Sequence, residues 1–376
     1  MNEYQILHGD SLVLLKDIPD DSIDSIVTDP PYALSFLNKE WDKGLPNKLI
    51  WIECLRVLKP GGHAVIFGAT RTHHRLWCDV EDAGFEVRDT LAWAHTQGFP
   101  KGSNIAKAID KKLGLKGEYK GEYKVPTITG NAFDSSRPSL VINQTKPESD
   151  LAKKFEGWNT NLKPALEMIL LVRKPLSEKT IADNMIKHNV GAINLDACRI
   201  GFEDNDGSWM NTPVPHKYYS PEIKMGNYTA ARDTGSWSGK RTKNMDRKPA
   251  TNPTISCRHE LGRWPANFLH DGSDEVMEEM GPYSRYFFCS KANTKEKQYS
   301  DHPTQKPVKL MEWLCKLITM PDGIILDPFA GSGTTGVAAV SNGFTAILIE
   351  KEEQYVLDIK IRMAALSEAG GEEFFK

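Results

Sequence analysis

The chain has 376 residues, 40% of them hydrophobic and 26% charged, with 47 Lys+Arg against 50 Asp+Glu for a formal net charge of −3. That length allows one large domain or two or three smaller ones, with a core that needs no disulfide or metal to hold it. The composition excludes a collagen-like, wholly disordered or integral membrane chain, and the charge excludes a uniformly basic coat, so any nucleic-acid surface must be local.

The elements fall into three zones. In the first, Ser22–Thr28 reads as a buried strand, and Leu49–Leu58 as a helix that stops at Lys59-Pro60-Gly61-Gly62. His63–Gly68 is a second buried strand, and Phe85–His95 a third after a helix around Arg75–Ala83. Strand and helix alternate, which favours a parallel sheet with helices on both faces. Residues 96–300 are rich in Gly, Pro, Asn, Ser and Lys, and only Leu166–Val172 is a clear apolar run. Stretches 115–160 and 200–260 read as long loops. Regularity returns with a helix over Pro307–Met320, a strand Gly323–Asp327, a helix Thr334–Ser341, a strand Thr345–Glu350 and a closing helix. The N-terminal residues form no signal peptide, and no window of about 18 apolar residues could span a membrane. The six cysteines include no C-x-x-C pair, which reads as reduced thiols in a cytoplasmic protein without a metal site.

Two segments carry chemistry. The first is Asp327-Pro328-Phe329-Ala330-Gly331-Ser332-Gly333-Thr334-Thr335, a glycine-rich turn between a strand and a helix. Its glycines let the backbone approach a ligand, and free amides at the helix start attract polar groups. The next strand ends at Glu350, nineteen residues after Gly331, where an acid can bind ribose hydroxyls. No third glycine is in register for a pyrophosphate and no Lys follows as in a P-loop. The ligand is then a nucleoside without a diphosphate, a description that S-adenosylmethionine fits. The competing reading is a plain strand–helix turn.

The second segment is Asp29-Pro30-Pro31-Tyr32, directly after the first strand. Two prolines fix φ and remove two N–H donors, leaving the Asp29 carboxylate and the Pro30 carbonyl as rigid acceptors. Ligands bind at such strand ends in open parallel sheets. Two acceptors beside an aromatic ring suit a flat substrate that carries an NH2 group.

With both segments in view, the chain resembles the S-adenosylmethionine-dependent DNA amino methyltransferases of the permuted (beta) class, in which the catalytic tetrad precedes the cofactor loop. His302-Pro303-Thr304-Gln305-Lys306-Pro307 is similar to that family's second cofactor motif, and His8-Gly9-Asp10 to the segment near the adenine end of the cofactor. The middle of the chain is more loosely similar to enzymes common in phages and prophages. The resemblance implies a Rossmann-like α/β fold with a mostly parallel sheet, helices on both faces and a circularly permuted motif order. It implies Asp29, Pro30, Pro31 and Tyr32 as catalytic residues. For the cofactor it implies Asp10, His302, Pro303, Thr304, Lys306, Pro307, Asp327, Phe329, Gly331, Gly333, Thr334, Thr335 and Glu350. Residues 1–95 and 285–366 would form the catalytic domain, 96–284 an inserted region with a target-recognition lobe at about 176–284, and 367–376 a tail.

Within this class Asp at the first tetrad position is more typical of adenine-N6 enzymes and Ser of cytosine-N4 enzymes, so the expected target is the adenine N6 of double-stranded DNA. Cytosine N4, a structured RNA and a silent DNA-binding module are the alternatives. Between Lys224 and Arg258, eight basic residues face only Asp233 and Asp246. Lys240, Arg241, Lys243, Arg247 and Lys248 are the expected phosphate contacts there. A second basic run, Lys101 to Lys124, has two equal readings, a further phosphate-gripping stretch or an exposed helix face followed by a loop. A homodimer and a separate restriction nuclease are the further partners this class admits.

Overall fold

The computed structural model describes residues 4–34, 40–96, 102–125, 140–201, 262–290 and 305–368. In chain order the elements are β1 (Tyr4–His8), α1 (Ser11–Leu14), β2 (Ile23–Thr28), α2 (Lys48–Val57), β3 (Leu58–Ala69), α3 (His73–Asp82) and β4 (Glu86–Ala94). The middle adds α4 (Ile105–Lys112), β5 (Glu118–Val125), β6 (Leu140–Lys146), α5 (Asp150–Lys154), β7 (Leu166–Arg173), α6 (Ile181–His188), β8 (Phe268–His270), α7 (Asp274–Met280) and β9 (Phe288–Cys289). The last zone holds α8 (Val308–Ile318), β10 (Ile324–Asp327), α9 (Thr334–Ser341), β11 (Thr345–Glu350) and α10 (Glu353–Glu368).

Nine strands form one sheet in the order β1-β11-β10-β2-β3-β7-β4-β8-β9. Within the described part of this sheet β7 alone runs antiparallel to its neighbours, β3 and β4. The mostly parallel α/β sheet with helices on both faces is therefore the fold. By compactness the chain divides into Met1–Cys198 with Trp264–Lys376, and Arg199–Arg263. The described residues of the second unit are Arg199–Gly201 and Gly262–Arg263, joined by paired backbone hydrogen bonds between Ile200 and Arg263 of 3.1 and 2.8 Å.

Period-two alternation sorts the central strands into two cores. Val65 and Phe67 of β3 and Ile169 and Leu171 of β7 face one side, where Leu310 and Leu314 of α8, Val337 of α9 and Ile359 and Met363 of α10 cover them. Ala64, Ile66, Leu170 and Val172 face the other, against Trp51 and Cys54 of α2 and Leu76 and Val80 of α3. Helix α2 begins where Asn47 accepts a hydrogen bond from the Leu49 amide at 2.9 Å, and it buries Ile50, Trp51, Cys54 and Val57 at helical spacing.

Several expectations need correction. The Lys59-Pro60-Gly61-Gly62 stop does not delay the next strand to His63, because β3 already starts at Leu58. The four residues are absorbed as an irregularity, with Ile23 opposite Leu58 and Ser25 opposite His63, and Gly61 takes φ 83°. The described residues of stretch 115–160 are not a long loop, since β5 and β6 pair there as an antiparallel two-stranded sheet and α5 follows. For the same reason a strand, not a loop, follows α4 in the second basic run. Leu166–Arg173 falls inside the range expected to be inserted, yet it is a central strand of the main sheet.

Removing a fully buried side chain from β7 should damage the fold as a whole. Leu170→Ala should cost about 2–5 kcal/mol, whereas Ile186→Ala, at a position 86% exposed, should stay within about 0.5 kcal/mol. Denaturant unfolding of both variants checks this; equal losses would contradict the core assignment.

Candidate active site

Strands β2 and β10 are parallel neighbours, with Ser25 opposite Ile325 and Ile26 opposite Leu326. Chain order reverses at this pair, so the crevice beyond their C-terminal ends is the ligand position of an open α/β sheet. One end carries the Asp29 tetrad and the other the glycine-rich turn. A buried carboxylate ties them together. Thr28 Oγ1 donates to Asp327 Oδ1 at 2.6 Å, Thr335 Oγ1 donates to Oδ2 at 2.6 Å, and the Phe329 amide donates to Oδ1 at 3.0 Å. Burial pushes the Asp327 carboxyl up to about 6 although these donors pull the other way.

The glycine turn is shaped for close approach. Gly331 and Gly333 adopt φ 52° and 78°, and a Cβ on Gly333 would lie 2.9 Å from Ile359 Cγ1. Glu350 closes the turn, accepting from the Gly331 amide at 2.7 Å through Oε2 and from the Glu352 amide at 2.7 Å through Oε1. Each carboxylate oxygen keeps lone-pair capacity beyond these bonds. Arg362 of α10, fully buried, donates to the Ser332 carbonyl at 2.7 Å and to Thr334 Oγ1 at 3.0 Å. The Phe329 ring lies 6.0 Å from that of Trp51. Asp10 caps α1, accepting from the Leu12 amide at 3.0 Å, and stands beside Lys351 Nζ at 3.4 Å. Because β1 pairs with β11, with His8 opposite Glu350, Asp10 and Glu350 share one end of the sheet. An acid at a strand tip, a turn that excludes side chains and a second acid one strand away suit a nucleoside.

The tetrad is held from both sides. Asp42, 2% exposed, accepts from the Tyr32 amide at 2.8 Å and the Leu34 amide at 3.2 Å. Thr72 Oγ1 donates to the Tyr32 carbonyl at 2.8 Å, and Ala33 takes the left-handed φ of 57°. The Tyr32 hydroxyl lies 2.6 Å from Asp29 Oδ1 and 2.9 Å from Glu167 Oε2. Lys306 Nζ bonds Asp29 Oδ2, and reaches Glu167 Oε2 at 3.1 Å and the Tyr32 hydroxyl at 3.3 Å. It also lies over the Phe67 ring, 4.9 Å from the centroid. Burial raises the Asp29 carboxyl, with Lys306 opposing and Glu167 adding to the shift. Burial pulls the Lys306 ammonium down, but Asp29 and Glu167 outweigh it and hold it above the ordinary lysine value. His95 Nε2 is 3.8 Å from Glu167 Oε1, and burial lowers this imidazole despite Glu167 and Asp271.

The structure thus groups Asp29 and Tyr32 with Lys306, and groups Asp327, Phe329, Gly331, Gly333, Thr334, Thr335 and Glu350 in the turn beside them. Pro307 is buried at the start of α8. Pro30 and Pro31 lead into Tyr32. His302, Pro303 and Thr304 lie outside the described residues, as do Lys240, Arg241, Lys243, Arg247 and Lys248. Sequence reasoning missed Glu167, His95 and Arg362. Glu167 had a signal, being the one acid within an apolar strand. A separate groove of about 280 Å³ in the middle region is lined by Lys107, Lys111, Lys116 and Lys146, with Asp110 among them. None of the four lysines forms an ion pair among the described residues.

A family model for the N6/N4 DNA methylases matches residues 23–360. The chain belongs to that family. It is a DNA methyltransferase, and its methyl donor is S-adenosylmethionine. It is 24% identical to the type II methyltransferase M.HindIII of Haemophilus influenzae, over 89% of this chain and 86% of that one. A 79-residue stretch, 21% of this chain and 27% of the other, is 39% identical to the DNA adenine methyltransferase YhdJ of Escherichia coli. The solved structure of the PvuII DNA methyltransferase, described as cytosine-N4-specific, is similar at a TM-score of 0.44 and 16% identity, covering 100% of this chain and 92% of that one. Among the described residues no helix is long and apolar enough to cross a membrane.

The Asp327 carboxyl gives a pH test of this methyltransferase. Its folded value of about 6 lies above the ~3.9 of an unfolded aspartate. Its contribution to stability is therefore complete below about pH 4 and is lost as pH rises through about 6. Asp327→Asn does not titrate. Relative to wild type, its urea midpoint should compare more favourably at pH 7.5 than at pH 4.5. A difference that is constant between the two pH values would contradict the buried, raised carboxyl.

Proposed function

We propose that the enzyme methylates the exocyclic N6 of adenine in double-stranded DNA at a short specific site. Asp29 carries this reading: a carboxylate, not a serine hydroxyl, directly follows β2 beside the glycine turn. When bound, S-adenosylmethionine supplies an electrophilic sulfonium methyl. Asp10, the Gly331–Gly333 turn and Glu350 hold the nucleoside part, and the motif ending in Lys306-Pro307 borders the rest. Asp29 and the Pro30 carbonyl accept the two amine hydrogens, which fixes the nitrogen and turns its lone pair out of the ring. The same two oxygens stabilise positive charge as it develops on nitrogen, and Asp29 or water takes the released proton. The Tyr32 ring stacks on the base.

A base amine inside a duplex is reached only after the base leaves the stack, which costs a few kcal/mol. Phosphate contacts offset that. We assign them to the basic stretch that includes Lys240, Arg241, Lys243, Arg247 and Lys248, with site reading in the same lobe. The four lysines of the groove in the middle region supply further backbone contacts. The catalytic unit and the recognition lobe are in this reading separate parts of the chain.

The test is mass spectrometry of nucleosides from the DNA of a methylation-free host that expresses the chain. N6-methyladenine is the expected product. N4-methylcytosine would overturn the base assignment and leave the amine chemistry, and no modified base from soluble protein would overturn both.

A further inference from the structure

Both oxygens of Asp29 already hold a protein donor, so a base amine must compete with those donors for the carboxylate's charge and remaining lone pairs. Its Oδ1 is engaged by Tyr32 and its Oδ2 by Lys306. Both of those groups already have a second anionic partner. Glu167 Oε2 lies 2.9 Å from the Tyr32 hydroxyl and 3.1 Å from Lys306 Nζ. The Tyr32 hydroxyl has one proton and so can serve only one carboxylate at a time. Lys306 is 6% exposed, and a buried ammonium stripped of its carboxylate would be costly. It can leave Asp29 only if another carboxylate keeps it.

The topology explains why Glu167 is available. β7 runs antiparallel between β3 and β4, so its first residues lie at the edge where the parallel strands end. Glu167 pairs in register with Ala69 of β3 and Trp93 of β4. The groups that face it are Asp29 and Tyr32 from the β2 end, Lys306 from the α8 start, and His95 from the β4 end on its other oxygen at 3.8 Å. A neutral imidazole there leaves the Glu167 charge for Lys306.

We propose that Glu167 is a positioning residue of the methyl-transfer reaction: it takes over Lys306 and the Tyr32 proton when the target amine docks on Asp29. No net proton or charge is lost in the exchange. Lys306 stays ion-paired, Tyr32 stays hydrogen-bonded, and Asp29 meets the amine without a competing donor while the Pro30 carbonyl takes the second hydrogen. The inference rests on the amine-methylation reading of the site, and it holds equally for adenine or cytosine.

Single-turnover methylation of unmethylated DNA at saturating S-adenosylmethionine, with wild type, E167Q, K306M and the double variant, tests it. In E167Q the ammonium has only Asp29 to pair with, and the rate should fall about tenfold, mid-range for coupled neighbours. K306M alone should also slow the enzyme, because two carboxylates then face each other without a cation. In the E167Q background, however, K306M frees Asp29, so the double variant should be faster than E167Q. That reversal of sign is what a merely structural Glu167 would not produce. E167D, which keeps the charge, should retain most of the wild-type rate.

A double variant as slow as the product of the two single losses would overturn the proposal, as would an E167Q rate equal to wild type. Should E167Q fold poorly, an E167D enzyme that is folded and inactive would overturn it as well. The wild-type control separates the two levels. A wild-type enzyme that methylates no DNA amine removes the functional reading together with this one, whereas an active wild type with additive variants removes only the role of Glu167.

Discussion

The pairing of β2 with β10 is the constraint on which the site depends. These two strands are about 300 residues apart in sequence yet adjacent in the sheet, and the Thr28 hydroxyl locks their ends to the Asp327 carboxylate. Without that register the tetrad and the glycine turn would be two unrelated loops. With it they share one crevice at the point where chain order reverses. The lock is internal: Asp327 is 2% exposed, and Thr28, Thr335 and the Phe329 amide donate to it. Its burial raises the carboxyl, which is the cost of placing an acid where it can organise two motifs at once.

The second organising feature is a small buried charge cluster. Asp29, Glu167, Lys306 and Tyr32 satisfy one another within a few ångströms, over the face of Phe67. Two carboxylates and one ammonium do not balance, which agrees with the raised Asp29 carboxyl. Such a cluster is weak support for stability, because desolvation offsets much of its attraction. Its sense is positional. It keeps the tetrad rigid while leaving Lys306 and Tyr32 a second partner each. The backbone beneath it is fixed independently, by Asp42 on the Tyr32 and Leu34 amides and Thr72 on the Tyr32 carbonyl.

Much of this was legible in the sequence, where local pattern decides structure. The strands Ile23–Thr28, Ile324–Asp327 and Thr345–Glu350 are short apolar runs bounded by turn residues, α8 lies where helical spacing placed it, and α9 opens after the glycine-rich turn as expected. Strand Tyr4–His8 was not legible, because as an edge strand it is half exposed and lacks an apolar run. β8 and β9 have three and two residues, too few for any periodicity. The β5–β6 pair was hidden by Gly and Lys content, and only its partner strand makes it a sheet. Asp29 and Tyr32 could be read from a motif. Glu167 could not be placed beside them, because that contact spans 135 residues and needs an antiparallel strand that no local pattern announces. Arg362 on α10 is hidden for the same reason, since its partners Ser332 and Thr334 lie 28 to 30 residues away.

The central claim is that β2 delivers the methyl acceptor while β10 and β11 hold the donor, two functions at adjacent strand ends. The most direct measurement is calorimetric titration of S-adenosylmethionine into wild type and Asp29→Ala, with methyl transfer to DNA followed on the same samples. The account predicts cofactor affinity within about threefold of wild type, since an unaltered donor site changes by less than about 0.7 kcal/mol, and transfer abolished. Loss of cofactor binding in Asp29→Ala, or transfer that survives it, would contradict the division of the site.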